Sequence, residues 1–597
     1  MVSNQNRAAK PLFTAVIQNT RDSLWPSLKW RFVKKFHNLV EALAAAPPDR
    51  PFITHWIDED EQETVTFGQF RQRARVHASK LLKNGVTAGD RVVLIMPQGI
   101  PAMAAFAGAM MIGAIPAFLA YPNFKVDPAK YRSGLLGVTA NLGAKIVVID
   151  EEFPEEMLTC VALTDGQKLV RLSATAPSND ATLPEVKIAS DALAFIQHSA
   201  GTTGLQKGVA LTHESVLTQL DHLSGALQID GAHDRIYSWL PLYHDMGLIA
   251  CFMLPMVYHL PIVMQSPIDW VMHPDAMLQI ITEHRCTLTW MPNFAFQFVS
   301  RRTPTDTKTR YDLSSLRALI NCSEPVRSNS MDEFQTTFAS SGLNPNALQS
   351  SYAMAENVFA VTQSQNNGPA HIWADGRSFR GDHCIVRAEP GTTNAICFTS
   401  SGRLFPNQLI RIAENGVELQ PGHVGEILIQ SDCLFRGYYN RPDLTTTAII
   451  DGWYHTGDLG FLLDNELYVV GRKKDLLIIG GENIYPQDIE EIVAAVPAIH
   501  DGRAVALGVY NPEIGTEEIV VVAEVNNEKL LARKDEIEQA IRSGVVAGLG
   551  VAVKQIFLKP PKWIVKSTAG KAARSTTRDK LLREHPELNS DNSGPSS

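Results

Sequence analysis

Apolar residues recur along this chain in two rhythms. From about residue 36 to 472, short continuous apolar runs alternate with longer stretches in which apolar positions return every three or four residues. That is the pattern of strands buried on both faces with helices packed over them. Residues 90–97 (DRVVLIMP) and 144–150 (AKIVVID) read as buried strands, and 101–122 (PAMAAFAGAMMIGAIPAFLAYP) between them as an apolar helix, giving a βαβ unit. The alternation continues through 192–360. Over 402–438 it shortens to strand-like alternation broken by Glu414-Asn415-Gly416 and Pro421-Gly422, which predicts a β-rich subdomain over about 402–471. Beyond 471 the pattern predicts a helix over 487–496, strands over 504–509 and 518–525, a helix over 530–543 and a strand over 555–559. The expected fold class is α/β. A large N-terminal domain of βαβ-type sheets spans 1–472, a small α+β lid spans 473–588, and 589–597 (NSDNSGPSS) is a low-complexity, disordered tail.

Composition narrows the function classes. Over 597 residues, 54 Lys+Arg stand against 63 Asp+Glu, a net charge of −9, which argues against a dedicated nucleic-acid binder. At 45% hydrophobic residues, disorder is excluded for most of the chain. The 7 cysteines are odd in number, widely spread and never in C-x-x-C, so neither a zinc ribbon nor a disulfide framework is indicated. Residues 1–21 hold no apolar h-region, so the expectation is a cytoplasmic protein. The run 101–122 is long enough to span a bilayer, but its three prolines and its Ala, Gly and Met content favour a buried helix. Residues 25–43 (WPSLKWRFVKKFHNLVEAL) read as an N-terminal helix packed on the domain, with peripheral membrane contact as the alternative.

The candidate chemistry sits in loops. In 195–212 (FIQHSAGTTGLQKGVALT), a short strand runs into Ser199, Gly201, Thr202, Thr203, Gly204 and Lys207. Glycines let backbone N–H groups surround an anion, hydroxyls add donors and the lysine adds charge. The spacing fits neither G-x-x-x-x-G-K-[ST] nor G-x-S-x-G. Further on, 238–249 (SWLPLYHDMGLI) sets His244 and Asp245 in a polar notch, and 351–359 (SYAMAENVF) sets Tyr352 and Glu356 at i and i+4. Asp458 stands in an expected turn within 453–460 (WYHTGDLG), followed by 471–490 (GRKKDLLIIGGENIYPQDIE). Lys571 rides a Gly-Ser-Thr loop in 566–574 (KSTAGKAAR). Each has a plain structural reading alone: a buried histidine, a helix-surface glutamate, a turn aspartate, a solvated lysine.

In this order the five segments resemble the acyl-adenylate-forming superfamily of acyl-CoA synthetases, luciferases and peptide-synthetase adenylation domains, over about 36–582. The wording LPLYHDMGLI, NCSEPV (321–326) and GRKKDLLIIGGENIYPQDIE is most similar to fatty acyl-AMP ligases. The resemblance implies that a carboxylic, fatty acid is activated with ATP to acyl-AMP and pyrophosphate, and its acyl group passed to a thiol. It implies that Ser199 to Lys207 hold the β- and γ-phosphates and that Glu356 ligates Mg²⁺. Asp458 and Arg472 would take the ribose, and Glu324 and Tyr352 would lie beside the adenine. His244 would border the acyl site. Lys571, on a mobile lid, would align the carboxylate with the α-phosphate, with Lys474 as the hinge.

Departures are visible. The usual Ser-Gly of the phosphate loop reads Ala200-Gly201, and Y-G-x-[TS]-E reads Tyr352-Ala353-Met354-Ala355-Glu356, removing a hydroxyl. Altered ATP handling, or an adenylate-binding protein that no longer turns over, is the reading from another class. An extra stretch at about 363–395 matches the insertion that fatty acyl-AMP ligases carry to restrain the lid. It therefore favours an acyl-carrier protein over CoA as acceptor. Amino-acid activation is disfavoured by His244 where an Asp is usual. The aromatic segment 289–298 (TWMPNFAFQF) reads as core rather than as a tunnel lining.

Overall fold

The computed structural model describes residues 36–122, 128–159, 161, 163, 166–172, 183–198, 207–304, 310–365, 367–406, 408–479, 482–511, 516–566 and 572–588. The expectations for Ser199, Gly201, Thr202, Thr203, Gly204, Lys571, residues 25–35 and the tail 589–597 lie outside the described residues.

Two mainly parallel sheets carry the large domain. In the first, Leu348–Ser350, Ala318–Asn321, Leu288–Met291, Ile236–Ser238, Ile262–Met264 and Pro51–Trp56 lie side by side in parallel, and Gln62–Thr66 closes the edge antiparallel. The second is wholly parallel, in the order Ile115–Phe118, Arg91–Ile95, Ile146–Asp150, Lys168–Leu172. The first three of these strands are buried on both faces, with helix Ile100–Met111 packed on one side, whereas the edge strand Lys168–Leu172 is largely open.

The apolar run differs from expectation: it is not one helix but the helix Ile100–Met111 followed by the strand Ile115–Phe118. The break falls at Gly113, φ 72°, where the chain must turn left-handed to enter the sheet. Among the described residues no helix is long and apolar enough to cross a membrane.

The β-rich region forms a mostly antiparallel sheet around Gln408–Glu414, Gly425–Ser431, Trp453–Leu463 and Glu466–Arg472. One piece leaves it. Gly437–Tyr438 pairs instead with Gly208–Thr212, so part of the expected subdomain reaches back beside the phosphate segment. The stretch 363–395 contains the strand His371–Asp375, paired with Ala395–Thr399, and a π-helical turn at Ser378–Asp382.

Beyond 472 the predicted elements appear, the strands longer and the helices displaced by a few residues: helix Pro486–Ala494, hairpin Ile499–Asn511 with Thr516–Val525, helix Lys534–Leu549 and parallel strand Val553–Lys559. A helix at Arg574–Glu584 joins them, unanticipated because its apolar positions are few. This unit has its own core, in which Ile489, Val493, Val521 and Ile541 are fully buried.

Candidate active site

Asp458 is the centre of the first cluster. It does not stand in a turn, as expected, but within the strand Trp453–Leu463, directly across from Arg472 on the neighbouring strand. A bulge between Leu459 and Gly460 lets the strand carry its Gly457-Asp458 kink without ending. The Tyr352 hydroxyl donates to Asp458 Oδ2 at 2.6 Å, and Arg472 Nε lies 3.1 Å from Oδ1. Burial and the adjacent carboxylate push the Tyr352 phenol well above its usual range, so it stays a donor.

Glu356 centres the second. It was expected one helical turn beyond Tyr352, but no helix joins them: Ala353 bridges Ala360, and Glu356 sits in a single 3₁₀ turn, Ala355–Asn357. The turn is closed by Val358 at φ 63°, ψ −54°, with the Phe359 N–H donating to the Asn357 carbonyl at 2.7 Å. A β-branched residue in a γ-turn of positive φ is strained, and such strain gathers at functional sites. Glu356 Oε1 accepts from the Tyr438 hydroxyl at 2.8 Å, and the Lys207 ammonium lies 4.5 Å from the centre of the same ring. Tyr454 stands 3.4 Å from the Tyr438 oxygen. Glu356 and Tyr352 both act on Tyr454, and Glu356 acts on Arg472, so the two clusters form one electrostatic neighbourhood.

His244 lies in the short connection between the strand Ile236–Ser238 and a buried π-helix, Met246–Met253. Its ring lies 4.8 Å from that of Tyr243, and its carbonyl accepts from Leu248. Asp245 starts that helix: its Oδ1 accepts the Met246 N–H at 2.8 Å. A Cβ on Gly247 would lie 2.3 Å from the Pro241 carbonyl oxygen, so only glycine permits this approach. Of 289–298, Trp290, Met291 and Phe296 are core, as expected; Phe294 and Phe298 flank Trp270, which stacks on Trp239 at 3.7 Å. Glu324 Oε2 accepts the Phe294 N–H at 3.1 Å, at the start of helix Asn293–Arg302.

Around Lys474 the chain changes allegiance. Arg472 pairs with Asp458 and Lys473 with Glu426 at 3.1 Å, both on the large sheet. Asp475 pairs with Arg574 at 2.9 Å, and Arg574 also grips Glu490. Lys474 is the residue left between them. Partial burial, then the like charges of Arg472 and Lys207, hold its ammonium below the usual lysine range.

Sequence reasoning missed Tyr438, Tyr454 and Lys566. Burial, with Arg503 adding to it, pushes the Lys566 ammonium down to about 8, while Glu324 is among the carboxylates opposing this. Lys566 is thus within electrostatic reach of Glu324 in the NCSEPV segment. Tyr438 was present in the motif R-G-Y-Y, but nothing in the alternation told its ring from a core aromatic.

The arrangement offers a lysine and a carboxylate on one side, and on the other a tyrosine-held carboxylate with an arginine. Such a set suits a phosphorylated, hydroxylated ligand. Similar proteins agree. A family model described as AMP-binding enzyme matches residues 40–439. A 4-hydroxyphenylalkanoate adenylyltransferase of Mycobacterium tuberculosis is 29% identical over 576 residues, 91% of either chain. The long-chain-fatty-acid–AMP ligase FadD28 of the same species is 28% identical over 91% of this chain and 97% of that one. A chain from structural studies of fatty acyl-adenylate ligases from E. coli and L. pneumophila superposes with a TM-score of 0.86 at 27% identity, over 93% of this chain and all of that one. The L. pneumophila ligase in complex with acyl adenylate and pyrophosphate does so with a TM-score of 0.70 at 28% identity, over 93% of this chain and 98% of that one. A family match over 40–439, which takes in Lys207, Tyr352, Glu356 and Tyr438, together with relatives that cover nine-tenths of the chain, makes this chain a member of the AMP-binding enzyme family and an AMP-forming ligase.

Proposed function

We propose that the protein activates a fatty or related carboxylic acid with ATP and delivers the acyl group to the phosphopantetheine thiol of an acyl-carrier protein. The observation that carries this reading is the shared neighbourhood of Lys207–Tyr438–Glu356 and Tyr352–Asp458–Arg472. A carboxylate oxygen of the acid bonds to the α-phosphorus as the bond from that phosphorus to the β-phosphate oxygen breaks, and pyrophosphate leaves. The thiol then takes the acyl carbon and AMP departs. Asp458 and Arg472 hold the ribose and Tyr352 and Glu324 the adenine side, while Lys207 and the 199–204 loop receive the β- and γ-phosphates. His244 borders the acid, and Lys571 aligns its carboxylate with the α-phosphate.

Mg²⁺ fits Glu356. Among the described residues no group of three His, Cys, Asp or Glu assembles, and Mg²⁺ is commonly held by one or two carboxylates plus substrate phosphates. When bound, it would neutralise charge developing on the phosphate oxygens. Lys474 is the pivot of the 473–588 lid, with 1–472 as the body it moves against. The cytoplasm is the compartment that suits this cofactor set.

Contacts from the 363–395 stretch support the carrier-protein acceptor. Asn483 Nδ2 donates to His383 Nδ1 at 3.1 Å, and the Phe379 and Tyr485 rings stack at 5.3 Å. Both tie the C-terminal unit down and so disfavour free CoA. The test offers CoA and an acyl-carrier protein side by side, with fatty acids, ATP and a pyrophosphate-release readout. Pyrophosphate release lost in Lys571→Ala with nucleotide binding retained, and acylation of the carrier protein over CoA, are expected. Nucleotide binding without release on any acid would overturn the enzymatic reading; equal use of CoA would overturn the acceptor.

A further inference from the structure

We propose that Tyr438 is a positioning residue for adenylation, holding the lysine that receives phosphate and the carboxylate that receives the metal in one register. The inference rests on the adenylation reading above. Backbone pairing sets it up from both sides. Gly437–Tyr438 pairs with Val209 and Ala210, two and three residues beyond Lys207, and the Phe435 N–H donates to the Glu356 carbonyl at 2.8 Å. Gly437 makes the bend at φ 140°, where a Cβ would meet Thr445 at 2.9 Å. One short segment is thereby pinned to the phosphate strand and to the glutamate turn.

The side chain then uses two chemically distinct parts. The ring face takes the Lys207 ammonium at 4.5 Å, a cation–π contact that leaves the ammonium's outer N–H groups for an anion. The hydroxyl donates to Glu356 Oε1 at 2.8 Å, which fixes the direction of the second carboxylate oxygen. Tyr438 is 5% exposed and packs edge-on against Phe435 at 4.8 Å, so the ring is held independently of its hydroxyl. Tyr438→Phe therefore removes the carboxylate contact while leaving packing and cation–π contact in place.

The test is calorimetric binding of ATP to the full-length protein without acid, with and without Mg²⁺. Wild type should bind tighter with Mg²⁺. In Tyr438→Phe that Mg²⁺ enhancement should shrink about tenfold, the worth of one hydrogen bond to a charged group, with Mg²⁺-free binding within about twofold. Tyr438→Leu should also weaken Mg²⁺-free binding. In a Glu356→Gln background, Tyr438→Phe should add nothing. In turnover, KM for ATP should rise about tenfold, with acyl transfer from preformed acyl-AMP unchanged. An unaltered Mg²⁺ enhancement in Tyr438→Phe, or additive losses with Glu356→Gln, would overturn the inference. Wild-type protein lacking any Mg²⁺-dependent ATP binding would instead sink the adenylation reading itself.

Discussion

Asp458 illustrates how far single residues carry. It is 8% exposed, yet its two oxygens are answered by a phenol and a guanidinium. Removing one buried partner leaves desolvation uncompensated, so Tyr352→Phe should destabilise by about 1–3 kcal/mol. Thermal unfolding of the variant checks this, and an unchanged midpoint would count against the pair. Asp458, Glu356, Lys207 and Tyr352 could be singled out in the sequence as residues of polar segments between apolar runs, and Arg472 through the family resemblance. Their pairing could not: Tyr352 and Tyr438 lie 106 and 82 residues from the carboxylates they serve. Pairing over such separations is set by sheet order, which periodicity alone does not contain.

At the level of elements, alternation located the strands well and their neighbours poorly. The run 101–122 divided into helix and strand, and Asp458 moved from turn to strand. In both cases glycines in left-handed or bulged geometry decided the outcome, a choice no hydropathy pattern records. The π-helix Met246–Met253 was likewise invisible, since a buried helix with i→i+5 bonds carries the same apolar residues as any other. Its first turn depends on Gly247. Gly247→Ala places a Cβ 2.3 Å from the Pro241 oxygen. The backbone must then shift, at a cost of about 1–3 kcal/mol. Because His244 is three residues away, KM for the acid should rise while ATP binding is preserved; parallel losses in both would refute a local effect.

Across the whole molecule, the two units meet through charge. Arg327 reaches Asp488 at 2.8 Å and Glu491 at 3.4 Å, Asn329 reaches Glu491 at 2.6 Å, and Arg301 reaches Asp501 at 2.7 Å. These pairs range from a quarter to a half exposed, and ion pairs that water reaches are individually worth about 0–1 kcal/mol, enough to bias a domain orientation but not to lock it. Arg327→Ala should therefore raise protease sensitivity near residues 473–475 several-fold, with little change in unfolding midpoint. Added salt should raise that sensitivity more in wild type than in the variant, which has already lost the screened pairs.

Acid should act on the large domain as a whole. His77, His198 and His213 are buried, and burial holds each near 4, against 6.5 for an accessible ring. Nδ1 of His213 accepts the Leu39 N–H at 3.3 Å, as a neutral ring must. Because the folded values are depressed for a base, unfolded chains bind more protons between 6.5 and 4. Stability is therefore full above about 6.5 and declines as pH falls through that window. Denaturant midpoints should drop steeply there, and His198→Gln should flatten the slope by about one proton.

The hairpin of Trp453–Leu463 with Glu466–Arg472 has one more consequence. It holds Asp458 at one end of its cross-strand pair and ends, through Arg472, one step from Lys473 and Lys474. On the proposed reading, a ribose that draws Asp458 away from Arg472 would loosen one of two anchors before the proposed pivot, leaving Lys473 on Glu426 as the other. Linkage is reciprocal: if nucleotide changes the lid's orientational equilibrium by some factor, lid orientation changes nucleotide affinity by the same factor. Arg472→Lys, which keeps charge but loses the planar contact, should therefore change that coupling factor, and by the same amount whether it is read from lid orientation or from nucleotide affinity.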